Sequence, residues 1–457
     1  MTHIPRIMIA AAHKSSGKTV VTTGLAAALK ARGQNVAVFK KGPDYIDPMW
    51  LSRAAGRPAY NLDFNTMSRG EISGLFARKA LGSDISLIEA NKGLFDGVAA
   101  DGSDSNAEIA KLLGAPVVLV IDTSGTTRGI APLLLGYRAF DPEVQIAGVI
   151  LNRTGGSRHE SKLRAAVETY TDIEVLGAVG ANALIGIPER HLGLTTPTDT
   201  GLTDAFVRKA GETIGTNVDL DRLMAIAASA PPIAAPEQPE PTPHRSGLRI
   251  GVAMDEAFGF YYPDDLDAFR ALGAEVVPID MIRDPHLPQI DGLFIGGGFP
   301  EVHAAALSAN ASMRESVKSA LEAGLPAYAE CGGLMYLCRT LSWHGQTHPM
   351  AGFFDAATVM QERPQGRGHV RFSPSPSALW PMSGPEQKAH EFHYARLEDI
   401  DPLPFARQVT RGHGIDGKHD ALVKANTQAG FIHLRNTAQS PWVANFLEFV
   451  ARKRPKA

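Results

Sequence analysis

Short apolar runs recur along the first half of the chain, each followed by a longer stretch whose Ala, Leu, Lys and Arg residues fall at helical spacing. The runs RIMIAAA, NVAVFKK, ISLIEA, PVVLVID and IAGVILN are continuous rather than alternating, as strands covered on both faces are. Strand and helix taking turns in this way predict a parallel sheet between helical layers. The pattern lapses over residues 230–246, APPIAAPEQPEPTPHRS, where six prolines remove amide donors and lock φ; an extended linker is expected there. It then restarts with LRIGVAMD, a helix from about Asp264, EVVPID, GLFIGGG, a helix from about Glu301 and PAYAE. From about residue 350 the pieces GFFDAATVM, HVRFSPS and EFHYARLE read as antiparallel additions to the second sheet. The expected organisation is an α/β domain over 1–229, a linker over 230–246 and a second α/β domain over 247–457.

Composition narrows the function classes. A chain of 457 residues, 44% hydrophobic, can bury large cores, and a formal net charge of -3 gives no general attraction to nucleic acid or to an anionic membrane. An anionic ligand must therefore be held by local groups. Only two cysteines occur, Cys331 and Cys338, and neither a basic apolar leader nor a long uncharged apolar run is seen. A reducing, cytoplasmic compartment without a structural disulfide is the expectation.

The first strand is followed by AHKSSGKT, Ala12 to Thr19, and then by a helical pattern. Gly17, Lys18 and Thr19 fit the Walker A spacing, with Ala12 in place of its first glycine. Amides of such a turn and of the following helix converge on phosphate oxygens, the lysine reaches the outer phosphates and the hydroxyl can ligate Mg²⁺. Ala12, His13, Lys14, Ser15, Ser16, Gly17, Lys18 and Thr19 are thus candidates for binding ATP. A divalent ion also needs carboxylates. Asp44 and Asp47 follow the second strand, Glu89 ends a strand and Asp96 lies just beyond it, on the rim where open α/β sheets bind ligands. Singly, each could equally be a helix cap or a solvated turn.

The second half carries a different chemistry. In PAYAECGG, Cys331 stands between a strand and two glycines, the strand–turn–helix corner that exposes a nucleophile above a sheet. Amides at such a corner lower a thiol pKa and offer donors to an oxyanion, so Gly332 is a candidate donor, and Gly297 and Gly298 of the neighbouring GLFIGGG run are others. His433 in AGFIHLRN is the candidate base, with His390 and His393 as competitors. Cys338, on the helix that follows, reads as core.

The ordered blocks SSGKT, KKGPDYIDP, GLFDG, ILNRTGGSRHE, IPERHLGL, DEAFGFYYPDDLD, GGGFPEVHAAAL and AECGGLMYL resemble the cobyrinic/hydrogenobyrinic acid a,c-diamide synthase family over nearly the whole chain. That resemblance implies a P-loop, dethiobiotin-synthetase-like parallel-sheet domain fused to a class I glutamine amidotransferase-like α/β domain. It implies that two acetate carboxylates of a carboxylated cyclic tetrapyrrole become amides, using ATP, Mg²⁺ and ammonia from glutamine. It places Asn152 near the adenine and Asp44, Tyr45, Asp47, Glu89 and Asp96 about the metal and the reacting carboxylate; with the loop hydroxyl, Thr19, Asp47 and Glu89 are the expected metal set, and Asp44, Tyr45 and Asp96, with Lys92 added at the rim, the expected substrate set. A homodimer is carried as an expectation for assembly; nucleic acid and membrane are not expected partners.

The chain departs from the family at several points. His13-Lys14-Ser15-Ser16 replaces glycine-rich text, and EANKGLFDG, with its added Lys92, replaces a Glu-Gly-Val-Met-Gly-like run; together these lean towards the branch that amidates sirohaem or sirohydrochlorin. The glutamate found two residues after the histidine in other triad amidotransferases is missing, since Arg435 stands there. Either a Cys–His pair suffices or another carboxylate, such as Glu301, orients the ring. Lys40, Lys41, Lys92, Arg128 and Arg153 are candidate cations for a polycarboxylate. The competing functions are a nucleotide-switched partitioning ATPase with an inert C-terminal domain and an amidotransferase acting on an unrelated acid.

Overall fold

In the computed structural model, which describes residues 1–181, 189–190, 193–194, 203–235 and 247–454, strand β1 (Arg6–Ala11) sends Ile7 and Ile9 to one face and Met8 and Ala10 to the other. Each face is buried under helices, which is why the run shows no polar alternation. Six further strands complete this first sheet: β2 (Val36–Lys41), β3 (Tyr60–Leu62), β4 (Ile85–Glu89), β5 (Val117–Asp122), β6 (Ile146–Thr154) and β7 (Glu174–Gly180). All pair in parallel in the order β3-β2-β4-β1-β5-β6-β7. Helix α1 (Lys18–Ala31) follows β1, and α2 (Ile46–Ala55) follows β2. The register sets Glu89 level with Ile9 on one side and Lys40 on the other, so the ends of β1, β2 and β4 open onto one rim.

The chain divides into the units Met1–Gln238 and Pro239–Ala457. Residues 236–246 of the expected linker lie outside the described residues, and of IPERHLGL only the backbone of Glu189–Arg190 and Gly193–Leu194, an antiparallel pair, is described. The first linker residues dock on their own unit: Ile233 and Thr2 exchange backbone hydrogen bonds of 2.8 and 2.9 Å, and the Pro231 carbonyl accepts from the buried Arg6 guanidinium at 2.7 Å.

The second unit is built on a nine-stranded mixed sheet. Its parallel part runs Glu275–Ile279, Arg249–Ala253, Gly292–Ile295, Ala327–Glu330 and Thr427–Gly430. Four antiparallel strands then extend it: His419–Lys424, Phe405–Arg411, Gly366–Pro374 and Gln387–His393. The expectation of an antiparallel extension therefore needs one correction. Phe354–Met360 and Ala395–Glu398 leave this sheet and join Cys338–Trp343 and Gln346–Pro349 in a separate four-stranded one. The run EFHYARLE is thus split at Tyr394. Its inward residues Ala395 and Leu397 pack with Leu341 and Phe354 in a cluster that also takes in Ala329 and Leu422 of the nine-stranded sheet.

Candidate active sites

The phosphate loop of the first unit turns through two left-handed residues, Ser15 (φ 63°) and Gly17 (φ 83°), before α1 begins at Lys18. Gly17 is required for space as well as conformation, because a side-chain carbon there would lie 2.4 Å from Asn152 Nδ2. Asn152 itself is buried and donates to the Ser16 carbonyl at 2.9 Å, so its amide braces the loop from beneath. Ser16 Oγ donates to the His13 carbonyl at 2.8 Å, and Tyr137 Oη donates to the Ala12 carbonyl at 2.6 Å. His13 and Lys14 are exposed at the tip.

Below the loop lies an acidic cluster. Thr19 Oγ1 donates to Glu89 Oε1 at 2.8 Å and to Asp47 Oδ2 at 3.2 Å. The Lys40 ammonium reaches the same two oxygens at 2.7 and 2.5 Å, with Asp44 at 4.0 Å. Lys40 is 2% exposed, which corrects its assignment as a rim cation for substrate: it is spent inside the cluster. The crowding shows in the protonation equilibria. Burial and the Asp47 charge push Asp44 up to about 7, against the pull of Lys40. Burial also raises Glu89, whereas Asp47, although buried, is held low by Lys40 and by hydrogen bonds including that from Thr19. Lys18, pushed down to about 8 by burial and by the Lys40 charge, donates to the Lys92 carbonyl at 2.6 Å.

The remaining expected residues surround this cluster. Asp44 Oδ1 accepts from the amides of Ile46 and Asp47, both at 3.0 Å, so it caps the start of α2; Tyr45 is buried beside it. Asp96 closes its own turn by accepting from the Gly93 amide at 2.9 Å, and Lys92 is exposed with φ 50°. Arg153 pairs with Asp122 at 2.6 Å and Arg128 lies over the Tyr170 ring. One loop-holding residue was not foreseen: Asn106 Nδ2 donates to the carbonyls of Asn91 (2.5 Å) and Gly93 (2.6 Å), fixing the turn that carries Lys92.

In the second unit Cys331 has φ 47° and ψ -103°, an unfavourable conformation for a residue with a side chain, and stands directly before the short helix Gly332–Leu337. The corner is tight on every side. A side-chain carbon at Gly333 would meet the Ile295 carbonyl oxygen at 2.2 Å, and one at Gly332 would lie 3.1 Å from the amide nitrogen of Gly298. The Gly297–Gly298 segment pairs with Phe258–Phe260 and lies against both the corner and the histidine: a carbon at Gly297 would lie 2.6 Å from His433 Cε1. The structure therefore brings Cys331, Gly297, Gly298, Gly332 and His433 together.

His433 is 3% exposed. Burial alone would discharge it, but hydrogen bonds to Cys331 and Glu330, with the charges of both, raise it to about 10. Its Nδ1 lies 3.4 Å from Glu330 Oε2, so a carboxylate facing this nitrogen belongs to the residue just before the cysteine. The competitor histidines are accounted for differently. His393 stacks on Phe431 with ring centroids 4.0 Å apart, and its Nδ1 lies 2.9 Å from the Ala395 carbonyl. His390 pairs with His433 through the backbone and is pushed down to about 3 by burial and by the His433 charge, so it is a neutral neighbour. Cys338 is fully buried, and burial pushes its thiol up to about 12, as a core cysteine requires.

Comparison with known proteins assigns a domain type to each half of the chain. Residues 7–194 match the CobQ/CobB/MinD/ParA nucleotide binding domain, and residues 249–440 match the CobB/CobQ-like glutamine amidotransferase domain. A cobyrinate a,c-diamide synthase from Magnetococcus marinus is 43% identical over 99% of this chain and 98% of its own length. The chain belongs to the cobyrinate a,c-diamide synthase family. Members of the same name from Methanosarcina acetivorans (39% identical; 99% of this chain and 96% of that one) and Dehalococcoides mccartyi strain 195 (38%; 97% and 98%) align over comparable spans. As a member of this family the protein is a glutamine-hydrolysing carbon–nitrogen ligase that uses a nucleotide. No helix among the described residues is long and apolar enough to cross a membrane.

Proposed function

We propose that this protein amidates the a and c acetate carboxylates of cobyrinate with ATP and glutamine, each through an acyl phosphate. The observation that carries the nitrogen half of this reading is Cys331, held at φ 47° beside an imidazole raised to about 10. The macrocycle is taken from the relatives, whose name is cobyrinate a,c-diamide synthase.

A carboxylate is a poor electrophile. In the first unit its oxygen attacks the γ-phosphorus of ATP, ADP departs, and ammonia then displaces phosphate from the acyl phosphate to leave the amide. Ala12 to Thr19 cradle the phosphates, with the Lys18 cation on the outer ones. Asp44, Tyr45, Lys92 and Asp96 flank the reacting carboxylate. Thr19, Asp47 and Glu89 fit Mg²⁺: Glu89 Oε2 is buried with no hydrogen-bond donor, and a hydroxyl with two carboxylates is the sparse protein set this ion takes alongside nucleotide phosphates. When bound, Mg²⁺ supplies charge compensation for the transferring phosphoryl group.

In the second unit the Cys331 sulfur attacks the glutamine amide carbon. The oxyanion rests on amides of Gly297, Gly298 and Gly332, and the His433 imidazolium gives its proton to the departing nitrogen, releasing ammonia. Water, losing a proton to the now neutral imidazole, then hydrolyses the thioester to glutamate.

Incubation with cobyrinate, glutamine, ATP and Mg²⁺ tests this reading: each amide formed lowers the product mass by about one unit, since hydroxyl is exchanged for amino. Cys331→Ser abolishes glutamate release, and ammonium salts, which bypass the thiol, restore amide formation. Sirohydrochlorin and sirohaem run in parallel; amidation of either in preference to cobyrinate would move the protein to that branch, and glutamate release without an amide product from any of the three would point to an unrelated acid.

A further inference from the structure

Alternate residues of a strand share a face, and in the strand Ala327–Glu330 this sets Tyr328 beside Glu330, one residue before the nucleophile. Tyr328 Oη donates to Glu330 Oε1 at 2.6 Å, and the Leu434 amide donates to the same oxygen at 2.7 Å. The second oxygen, Oε2, is left to face His433 Nδ1. Behind the phenol, Arg407 Nη2 donates to Tyr328 Oη at 2.9 Å, while Nη1 donates to Asp420 Oδ2 at 3.0 Å and to the Ile432 carbonyl at 3.1 Å. Asp420 Oδ1 also accepts from the Phe431 amide at 2.8 Å. Arg407 and Asp420 are both 0% exposed. From the imidazole inward the charges therefore alternate: His433 positive, Glu330 negative, Arg407 positive, Asp420 negative.

A buried network of this kind is weak evidence for stability, because apolar residues of similar volume would serve as well; its geometry is better explained by what it orients. Pinning Oε1 from two sides aims Oε2 at Nδ1. That fixes which nitrogen of His433 is engaged by the carboxylate and leaves Nε2 for the sulfur and the departing nitrogen.

We propose that Glu330 is the positioning carboxylate of the glutaminase site, taking the place of the missing glutamate two residues after the histidine, and that Tyr328 and Arg407 position Glu330 in turn. The inference rests on the reading of Cys331 and His433 as the glutaminase pair. The nucleophile and the carboxylate that orients its base are then consecutive residues, one facing the turn and the other the sheet.

The test uses the full chain and measures glutamate release. In Glu330→Gln, kcat falls about 100-fold or more while KM for glutamine stays within about twofold, since the lost interaction is made mainly in the transition state. The alkaline limb of the rate profile, set by deprotonation of His433, moves down by about one pH unit or more, because an opposite charge in contact has been removed. A purely structural role for Glu330 would leave that limb in place. In Tyr328→Phe, which keeps the ring stacked on Phe294 at 5.6 Å, kcat falls about tenfold at constant KM as the carboxylate regains freedom. Glutamate release by the parent, and its loss in Cys331→Ser, establish the underlying reading first. Parental kcat and an unmoved limb in Glu330→Gln then overturn the role of the carboxylate alone. Should Glu330→Gln lose its melting transition, Tyr328→Phe decides: parental turnover overturns the proposal, and the tenfold fall upholds it.

Discussion

Lys40 Nζ lies 2.7 Å from Glu89 Oε1, at the oxygen that Thr19 also reaches, so the acidic cluster under the phosphate loop carries its own internal cation. Removing the ammonium by Lys40→Met leaves Asp47 and Glu89 buried without a counter-charge. Urea unfolding in chelator is expected to show a loss of about 3–5 kcal/mol. Mg²⁺ with ATP should recover more stability in the variant than in the parent. Equal unfolding midpoints with and without Mg²⁺ and ATP would show that the cluster takes no cation.

The Cys331 corner tolerates no added carbon at Gly333, where the obstacle is the Ile295 carbonyl oxygen rather than a movable side chain. Gly333→Ala is expected to cost about 1–3 kcal/mol in chemical denaturation. Because the corner must shift to admit the methyl group, glutamate release should drop about 100-fold. Retained turnover would show that the corner is more pliable than its packing suggests.

Alkylation separates the two cysteines. Cys338, pushed up to about 12 and 0% exposed, should remain unmodified by iodoacetamide in the folded protein, whereas Cys331, itself buried at 5% exposed but hydrogen-bonded to the His433 imidazole, takes up one equivalent. Peptide mass spectrometry reads the site directly, and glutamine should protect it.

The histidine pair sets opposing pH dependences of stability. His433, raised from 6.5 to about 10, contributes stability that is fully present below pH 6.5 and is lost as pH rises through 10. His390, depressed from 6.5 to about 3, stays neutral while the unfolded chain takes up a proton, so stability falls as pH drops from 6.5 towards 3. Each group contributes a slope of up to about 1.4 kcal/mol per pH unit. Replacing His390 with Asn should flatten the acid side of the unfolding profile and leave the alkaline side, and glutamate release should decline through about pH 10 as the imidazolium is lost.

Much of this was legible in the sequence, because the features concerned are local. AHKSSGKT declares its turn and helix start within eight residues, and Cys331-Gly332-Gly333 needs both glycines for a corner that the neighbouring Ile295 carbonyl crowds. What stayed hidden depends on residues far apart in the chain. That Lys40 would be consumed by Asp47 and Glu89 follows from the register of β2 against β4. That Asn152 would brace Ser16 follows from the loop folding back over β6. In the sequence Glu330 simply ends the run PAYAE, and Tyr328 two residues earlier is the one signal of its role. The split of EFHYARLE is marked only by a change of phase in its apolar residues, from Phe392 and Tyr394 to Ala395 and Leu397.

That split has a mechanical meaning. Because an uninterrupted ribbon carries His390, main-chain partner of His433, and runs on through Tyr394 into the four-stranded sheet, the two sheets share a backbone tether a few residues from the imidazole. Stiffening the smaller sheet, by a crosslink across Cys338–Trp343 and Gln346–Pro349 or by anything that settles on it, would damp motion of the ring without touching Cys331.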